Sequence, residues 1–163
     1  MDTELQYFEQ SSDNINLYKT LFDKQSQEVC QHKISKKWVK ASIDNFTFCY
    51  AFISQKAQIG RRSLKKVEDK YILKAFVVCR VLQEENQILK IDLICSKPQL
   101  KLGKILLELV EEKAKQTNVK VISLSSLPSI SLRKWYKNLG YVTIDFIDHK
   151  DGTLKACSMQ KLI

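Results

Sequence analysis

The sequence predicts a single α/β domain, residues 1–163, in which a mixed sheet of about six to seven strands is flanked by four helices. Two observations predict this class. Segments with apolar residues at helical spacing alternate with β-branched and aromatic runs, in the order βααβββαβαββ. The chain has 163 residues, 44% of them hydrophobic, and one core is expected because a domain has roughly 100–200 residues.

The first half of the chain predicts a strand, two helices and a second strand. Asp13 is expected to cap the first helix, in which Leu17 and Leu21 recur one turn apart. The second strand is rich in aromatic and β-branched residues, which favour sheets. The predicted segments are strand Thr3–Gln10, a helix after Asp13, helix Ile34–Ile43, strand Asn45–Ser54 and a basic loop, Gln55–Lys70.

The second half predicts five strands and two helices. Strand Val119–Ser125 follows a helix, so we expect it to lie parallel to Ile88–Cys95 through a right-handed crossover. Pro128 suits a first helical turn, and Gly140 suits a left-handed helix end. The predicted segments are strands Tyr71–Leu82, Ile88–Cys95, Val119–Ser125, Tyr141–Phe146 and Leu154–Leu162, helix Lys104–Gln116, and a helix that contains Leu132, Trp135 and Leu139.

The net charge of +9 favours either simple solubility or an anionic partner. One dense basic cluster lies between Arg61 and Lys70, interrupted by Glu68 and Asp69. It has no accompanying nucleic-acid-binding motif, so a solvated loop is the preferred interpretation and nucleic acid is not the expected partner. The start of the chain has no signal-peptide pattern and no apolar run is long enough to span a membrane. We therefore expect an intracellular, cytoplasmic protein.

The five cysteines are widely spaced, which argues against a disulfide framework. Cys49, Cys79 and Cys95 lie in apolar stretches, where a free cysteine is typically a small core residue. No CxxC pair occurs, and His32 and His149 are isolated. The sequence therefore predicts no metal site.

Residues 88–115, ILKIDLICSKPQLKLGKILLELVEEKAK, predict a strand, a loop and a helix that begins close to Gly103. The first turn of a helix exposes unpaired N–H groups and the positive end of the helix dipole, which together suit a phosphate or pyrophosphate. Lys97, Lys101 and Lys104 add positive charge, and Gly103 allows close approach of a ligand. An ordinary turn that needs a small residue is the alternative interpretation.

Two segments resemble the GNAT family of acyl-CoA-dependent N-acyltransferases. Residues 102–108, LGKILLE, are similar to the family's pyrophosphate loop and the helix that follows it. Residues 131–141, SLRKWYKNLGY, are similar to its late helix, which ends in Tyr-x-x-x-Gly-aromatic. The order βααβββαβαββ agrees with that fold. The chain departs from the loop pattern, because Lys101 stands where the family usually has its first glycine and Pro98 stands where arginine or glutamine is usual. In the second segment, Ser129 stands where many members have asparagine.

The resemblance implies direct transfer of an acyl group from a coenzyme A thioester to an amine. Tyr136 matches the family's general acid, with a core aromatic as the alternative. Asp92 is the candidate base, with a solvent-facing or lysine-paired carboxylate as the alternative, and the N–H of Cys95 is the candidate oxyanion donor. The implied cofactor-binding residues are Ile94, Cys95, Lys101, Leu102, Gly103, Lys104, Ile105 and Ser129.

The expected function is therefore N-acetyl transfer from acetyl-CoA to a primary amine of a small molecule or protein, by a monomer or dimer. The alternative is a catalytically inactive module of the same fold. Such a module would hold CoA or contact nucleic acid through the basic loop, residues 55–70.

Overall fold

The structure, a computed structural model, describes residues 2–56, 70–82, 87–145 and 156–163. In the described part of the chain, seven strands and four helices follow one another in the predicted order, βααβββαβαββ. The strands are β1 (Thr3–Glu9), β2 (Phe48–Gln55), β3 (Tyr71–Leu82), β4 (Ile88–Ser96), β5 (Val121–Ser126), β6 (Val142–Asp145) and β7 (Cys157–Leu162). The helices are α1 (Ile15–Val29), α2 (Lys36–Asp44), α3 (Gly103–Gln116) and α4 (Ile130–Asn138).

The strands form a mixed sheet in the order β1-β2-β3-β4-β5-β7-β6. Antiparallel pairing joins β1 to β2, β2 to β3, β5 to β7 and β6 to β7. The predicted parallel pairing of β4 with β5 is confirmed, and its register runs from Ile88 opposite Val121 to Ile91 opposite Leu124. The predicted α/β class with a seven-stranded mixed sheet is therefore confirmed.

The chain forms two compact units, and a single domain over residues 1–163 stays a prediction. The first unit comprises Met1–Arg80 and Leu93–Leu109, and the second comprises Val81–Asp92 and Val110–Ile163. The long elements β3, β4 and α3 contribute residues to both units.

Helices α1 and α2 enclose the core of the first unit against one face of its strands. Phe8 on β1 packs against Phe22 of α1, with ring centroids 6.2 Å apart, and Phe22 packs edge-on against Phe76 of β3 at 5.6 Å. All three rings are fully buried. The apolar face of α1 therefore packs against the inward-facing side chains of the strands.

The second unit buries an apolar row on β5 and β7. Ile122, Leu124, Cys157 and Met159 are all at most 2% exposed. On β5, the residues that alternate with Ile122 and Leu124 are half-buried or exposed; these are Val121, Ser123 and Ser125. This alternation is typical of a sheet with one covered face.

Helix starts differ from the prediction by one or two residues. The N-cap of α1 is Asn14 rather than Asp13, and its side chain makes no capping hydrogen bond. Ser35 caps α2 by accepting a hydrogen bond from the Trp38 N–H. Pro128 precedes the cap of α4 instead of lying in its first turn. Short polar side chains are interchangeable as caps, so the pattern locates a helix start only approximately.

A disulfide bond corrects the expectation for Cys95. Cys95 on β4 is bonded to Cys30, the C-cap residue of α1, across 65 residues of chain. Cys49, Cys79 and Cys157 form no disulfide and are buried. The pairing has no local sequence pattern, because tertiary packing brings α1 and β4 together and cysteine connectivity does not follow from spacing.

No helix in the described ranges is long and apolar enough to cross a membrane.

Candidate functional site

The segment from the end of β4 to the start of α3 lies entirely in the first unit. Strand β4 ends at Ser96, and the N–H of Lys97 then donates a 2.9 Å hydrogen bond to the carbonyl of Lys74 on β3. The loop turns at Pro98–Gln99, and α3 begins at Gly103. The end of β4 is thus fixed to its neighbour immediately before the loop that leads to the helix.

Two residues of this loop have left-handed backbone conformations. Gln99 has a φ of 75° and Lys101 has a φ of 54°. A side chain in this region costs about 1–2 kcal/mol, which is why glycine is the usual occupant. Lys101 stands at the position where the GNAT pattern has its first glycine, and its φ lies in the region that favours glycine. Gly103 itself has no positive φ.

The N-terminus of α3 offers donors and positive charge. The carbonyl of Leu102 accepts the N–H of Leu106 at 3.0 Å, so the N–H groups of Gly103, Lys104 and Ile105 precede the helical ladder. No acidic residue lies in the first turn. Lys101 and Lys104 are exposed on either side of Gly103. This end of the helix is therefore suited to an anion such as a pyrophosphate.

The end of β4 carries Ile94 and Cys95. Ile94 is half-buried, whereas Cys95 is 6% exposed. The Cys95 sulfur is bonded to Cys30, so no thiol is present at this position. The assignment of the Cys95 N–H as an oxyanion donor concerns the backbone and stays a prediction.

Asp92 is the residue on β4 directly after Ile91, whose pairing with Leu124 is the last in the parallel register of β4 with β5. It is half-buried and belongs to the second unit, with a side chain on the face opposite that of Ile91. Strand β4 continues to Ser96 and β5 continues to Ser126. A base role for Asp92 stays a prediction.

Helix α4, also in the second unit, carries Ser129 and Tyr136. The Ser129 hydroxyl caps the helix, accepting the N–H of Leu132 at 3.3 Å, and lies 3.1 Å from the Ser131 hydroxyl. Capping gives Ser129 a structural use that sequence reasoning did not anticipate. Its assignment to cofactor binding stays a prediction.

Tyr136 lies on the inner face of α4 and is 4% exposed. Its ring packs edge-on against Trp135 at 5.0 Å and Tyr141 at 5.8 Å between centroids. Among the residues that the structure describes, its hydroxyl has no hydrogen-bond partner. Burial raises the pKa of this phenol well above its usual value. Tyr136 is therefore protonated at neutral pH.

Sequence reasoning missed the partner of Glu111. The ammonium of Lys161 on β7 lies 3.0 Å from a carboxylate oxygen of Glu111 on α3, and it also donates to the carbonyl of Leu139 at 2.9 Å. On the same helix, Lys115 lies four residues after Glu111, and the i,i+4 spacing by itself favours that local pair. The contact joins residues 50 positions apart, so no local pattern could have revealed it.

Most of the basic cluster, Arg61–Lys66 among it, lies outside the described residues. Groups of three or more His, Cys, Asp or Glu side chains that could hold a metal ion are not found among the residues that are described.

No family model matches the chain, and no curated protein matches it. Several solved structures do. The ribosomal-protein-S18-alanine N-acetyltransferase of Escherichia coli is 16% identical with a TM-score of 0.62, and the match covers 99% of this chain and 94% of that one. An aminoglycoside 6'-N-acetyltransferase complexed with coenzyme A is 11% identical with a TM-score of 0.62, over 98% and 96% of the two chains.

A Bacillus subtilis acetyltransferase in complex with CoA is 16% identical with a TM-score of 0.59, over 99% of each chain. These matches extend over nearly the whole chain. The protein has the fold of the GNAT N-acetyltransferases. The predicted resemblance to this fold is confirmed.

Proposed function

We propose that the protein transfers an acetyl group from acetyl-CoA to a primary amine. The observation that carries the proposal is the loop and helix start at Lys101–Ile105. This segment combines free backbone N–H groups, two exposed lysines and no acidic residue in the first turn of α3. In the GNAT fold, with two CoA-bound structures among the similar chains, these features suit the pyrophosphate of coenzyme A.

The residues present fit this cosubstrate. Backbone N–H groups of Gly103, Lys104 and Ile105 would bind the phosphate oxygens, and the ammonium of Lys101 would add a charge-assisted contact. Lys101 keeps a left-handed φ of 54° at a position where glycine would be less strained. A side chain that costs conformational energy at such a position supports a ligand-binding role for its charge.

The reaction needs three groups from the chain: a proton acceptor, an oxyanion donor and a proton donor. The amine must lose a proton as it attacks the thioester carbonyl, and Asp92 is the candidate acceptor of that proton. The oxyanion that forms needs an N–H donor, for which the backbone of Cys95 is the candidate. The C–S bond then breaks and the CoA thiolate takes a proton, for which Tyr136 is the candidate donor. The products are the acetylated amine and free CoA.

The test is a screen of primary amines with acetyl-CoA, in which the acetylated product is detected by mass spectrometry. With an accepted amine, Tyr136→Phe should lower turnover by at least about tenfold, since a general acid is worth about 10²–10⁴-fold. It should leave stability nearly unchanged, because this hydroxyl makes no hydrogen bond to any residue that the structure describes. Tyr50→Phe, which removes a half-buried hydroxyl from β2, is the matched control.

Two outcomes would contradict the proposal. Saturable acetyl-CoA binding without product from any amine would favour the inactive binding module. Full turnover with Tyr136→Phe would show that Tyr136 is a core aromatic and would remove the acid assignment.

A further inference from the structure

The C-terminal end of α4 is held by a charged side chain from another strand. Lys161 on β7 donates to the carbonyl of Leu139, the C-cap residue of α4, at 2.9 Å. Its ammonium also pairs with Glu111 on α3 at 3.0 Å. The two side chains are only 28% and 20% exposed, so water screens this pair less than it screens a surface pair. Lys161 therefore connects α3, β7 and the end of α4.

Gly140 makes room for this lysine. The helix ends in a Schellman motif, in which the N–H of Gly140 donates to the carbonyl of Lys137 and the N–H of Tyr141 to that of Tyr136. Gly140 has a φ of +96°, and a Cβ built there would lie 3.1 Å from the Cε of Lys161. The stem of the lysine thus passes directly over the glycine.

The same group of residues contacts Tyr136 through Tyr141. The ring of Tyr141 is 1% exposed and packs edge-on against the ring of Tyr136. The hydroxyl of Tyr141 donates to Glu111 in a long, 3.5 Å hydrogen bond, and the ammonium of Lys161 lies 5.8 Å from the centre of its ring. The Tyr141 ring therefore contacts both the ion pair and the ring of Tyr136.

We propose that Lys161 and Glu111 are positioning residues for Tyr136. Their ion pair fixes the last turn of α4 and the ring of Tyr141, and these in turn set the direction of the Tyr136 hydroxyl. Neither residue contacts a reacting atom in this scheme. The inference rests on the proposed function, because it takes Tyr136 as the proton donor. The contacts that position Tyr136 all lie within the second unit and can be tested without activity.

The kinetic test combines Lys161→Met, which keeps the stem and removes the charge, with Tyr136→Phe. Lys161→Met should lower kcat by about tenfold and leave the KM for acetyl-CoA unchanged, because misplacement by about 1 Å is costly. In the Tyr136→Phe background the same substitution should have almost no effect on kcat, since the group being positioned is gone. Lys161→Arg should restore most of the activity.

Glu111→Gln should behave like Lys161→Met. The matched control is Lys40→Met, which breaks the exposed pair of Lys40 with Asp44 on α2 and should leave kcat unchanged. An equal loss of kcat in both tyrosine backgrounds would overturn the inference, because the lysine would then act on the whole fold.

A second measurement needs no acceptor. In protein with ¹³C-labelled tyrosine, the ring signals of Tyr136, assigned with Tyr136→Phe, should shift or broaden in Lys161→Met and stay in place in Lys40→Met. Unchanged Tyr136 signals in folded Lys161→Met would overturn the positioning role whether or not the protein is an enzyme. Shifted signals in a protein that acetylates no amine would uphold the positioning and reject the proposed function.

Discussion

Reducing the bond between Cys30 and Cys95 should lower the free energy of unfolding by about 4 kcal/mol. The bond closes a loop of 65 residues. In the chain-entropy description, a loop of this length restricts the unfolded chain by about 14 cal/mol/K, which is about 4 kcal/mol at 25 °C. With a urea dependence of about 2 kcal/mol/M for a domain of this size, the unfolding midpoint should fall by about 2 M.

The assay is equilibrium urea unfolding with and without a phosphine reductant, followed by tryptophan fluorescence. Alkylation in denaturant should label the three cysteines that form no disulfide, Cys49, Cys79 and Cys157, without reductant and all five with it. Cys95→Ala should abolish the reductant-dependent shift. Cys49→Ala is the matched control, because it truncates a buried cysteine that forms no disulfide and should keep the full shift. Five labelled cysteines without reductant, or equal midpoints in both conditions, would refute the reasoning.

Three further substitutions test the loop and the end of α4. Lys101→Gly should relieve a strained φ of 54°, but glycine loses more backbone freedom on folding, so thermal stability should change little. The substitution should weaken acetyl-CoA binding severalfold in calorimetry, and more at low salt than at high salt. Gly103→Val should weaken CoA binding by more than about tenfold in a folded protein, and unchanged affinity would make the loop a mere turn. Gly140→Ala should cost about 1–2 kcal/mol in urea unfolding, because its φ is +96°, and a neutral effect would argue against the helix end described above.

Much of the fold could be predicted from the sequence because its periodicities are strong. Strand β3 was predicted with its observed bounds, Tyr71–Leu82, since an unbroken apolar and β-branched run leaves little choice. The parallel pairing of β4 with β5 followed from the helix between them. The predicted element ends were less accurate. Strand β2 begins at Phe48 rather than Asn45, because Phe46 and Thr47 also favour strands and composition alone does not mark where the strand starts.

The candidate site could be predicted only where it is local in sequence. The loop and helix start at Lys101–Gly103 are adjacent residues, so a pattern could locate them. The bond of Cys30 with Cys95 and the ion pair of Glu111 with Lys161 join distant segments, and their partners are set by tertiary packing. Helical spacing even favoured a different partner for Glu111, because it considers only residues on the same helix.

The measurement that tests the account most directly is calorimetric titration of the protein with acetyl-CoA. The account predicts saturable binding with a Kd on the order of micromolar, and a melting temperature that rises with ligand concentration by linkage to the folded state. Absence of binding heat and of any melting shift at about 1 mM acetyl-CoA would contradict it, because the loop and helix start at Lys101–Ile105 would then hold no cosubstrate.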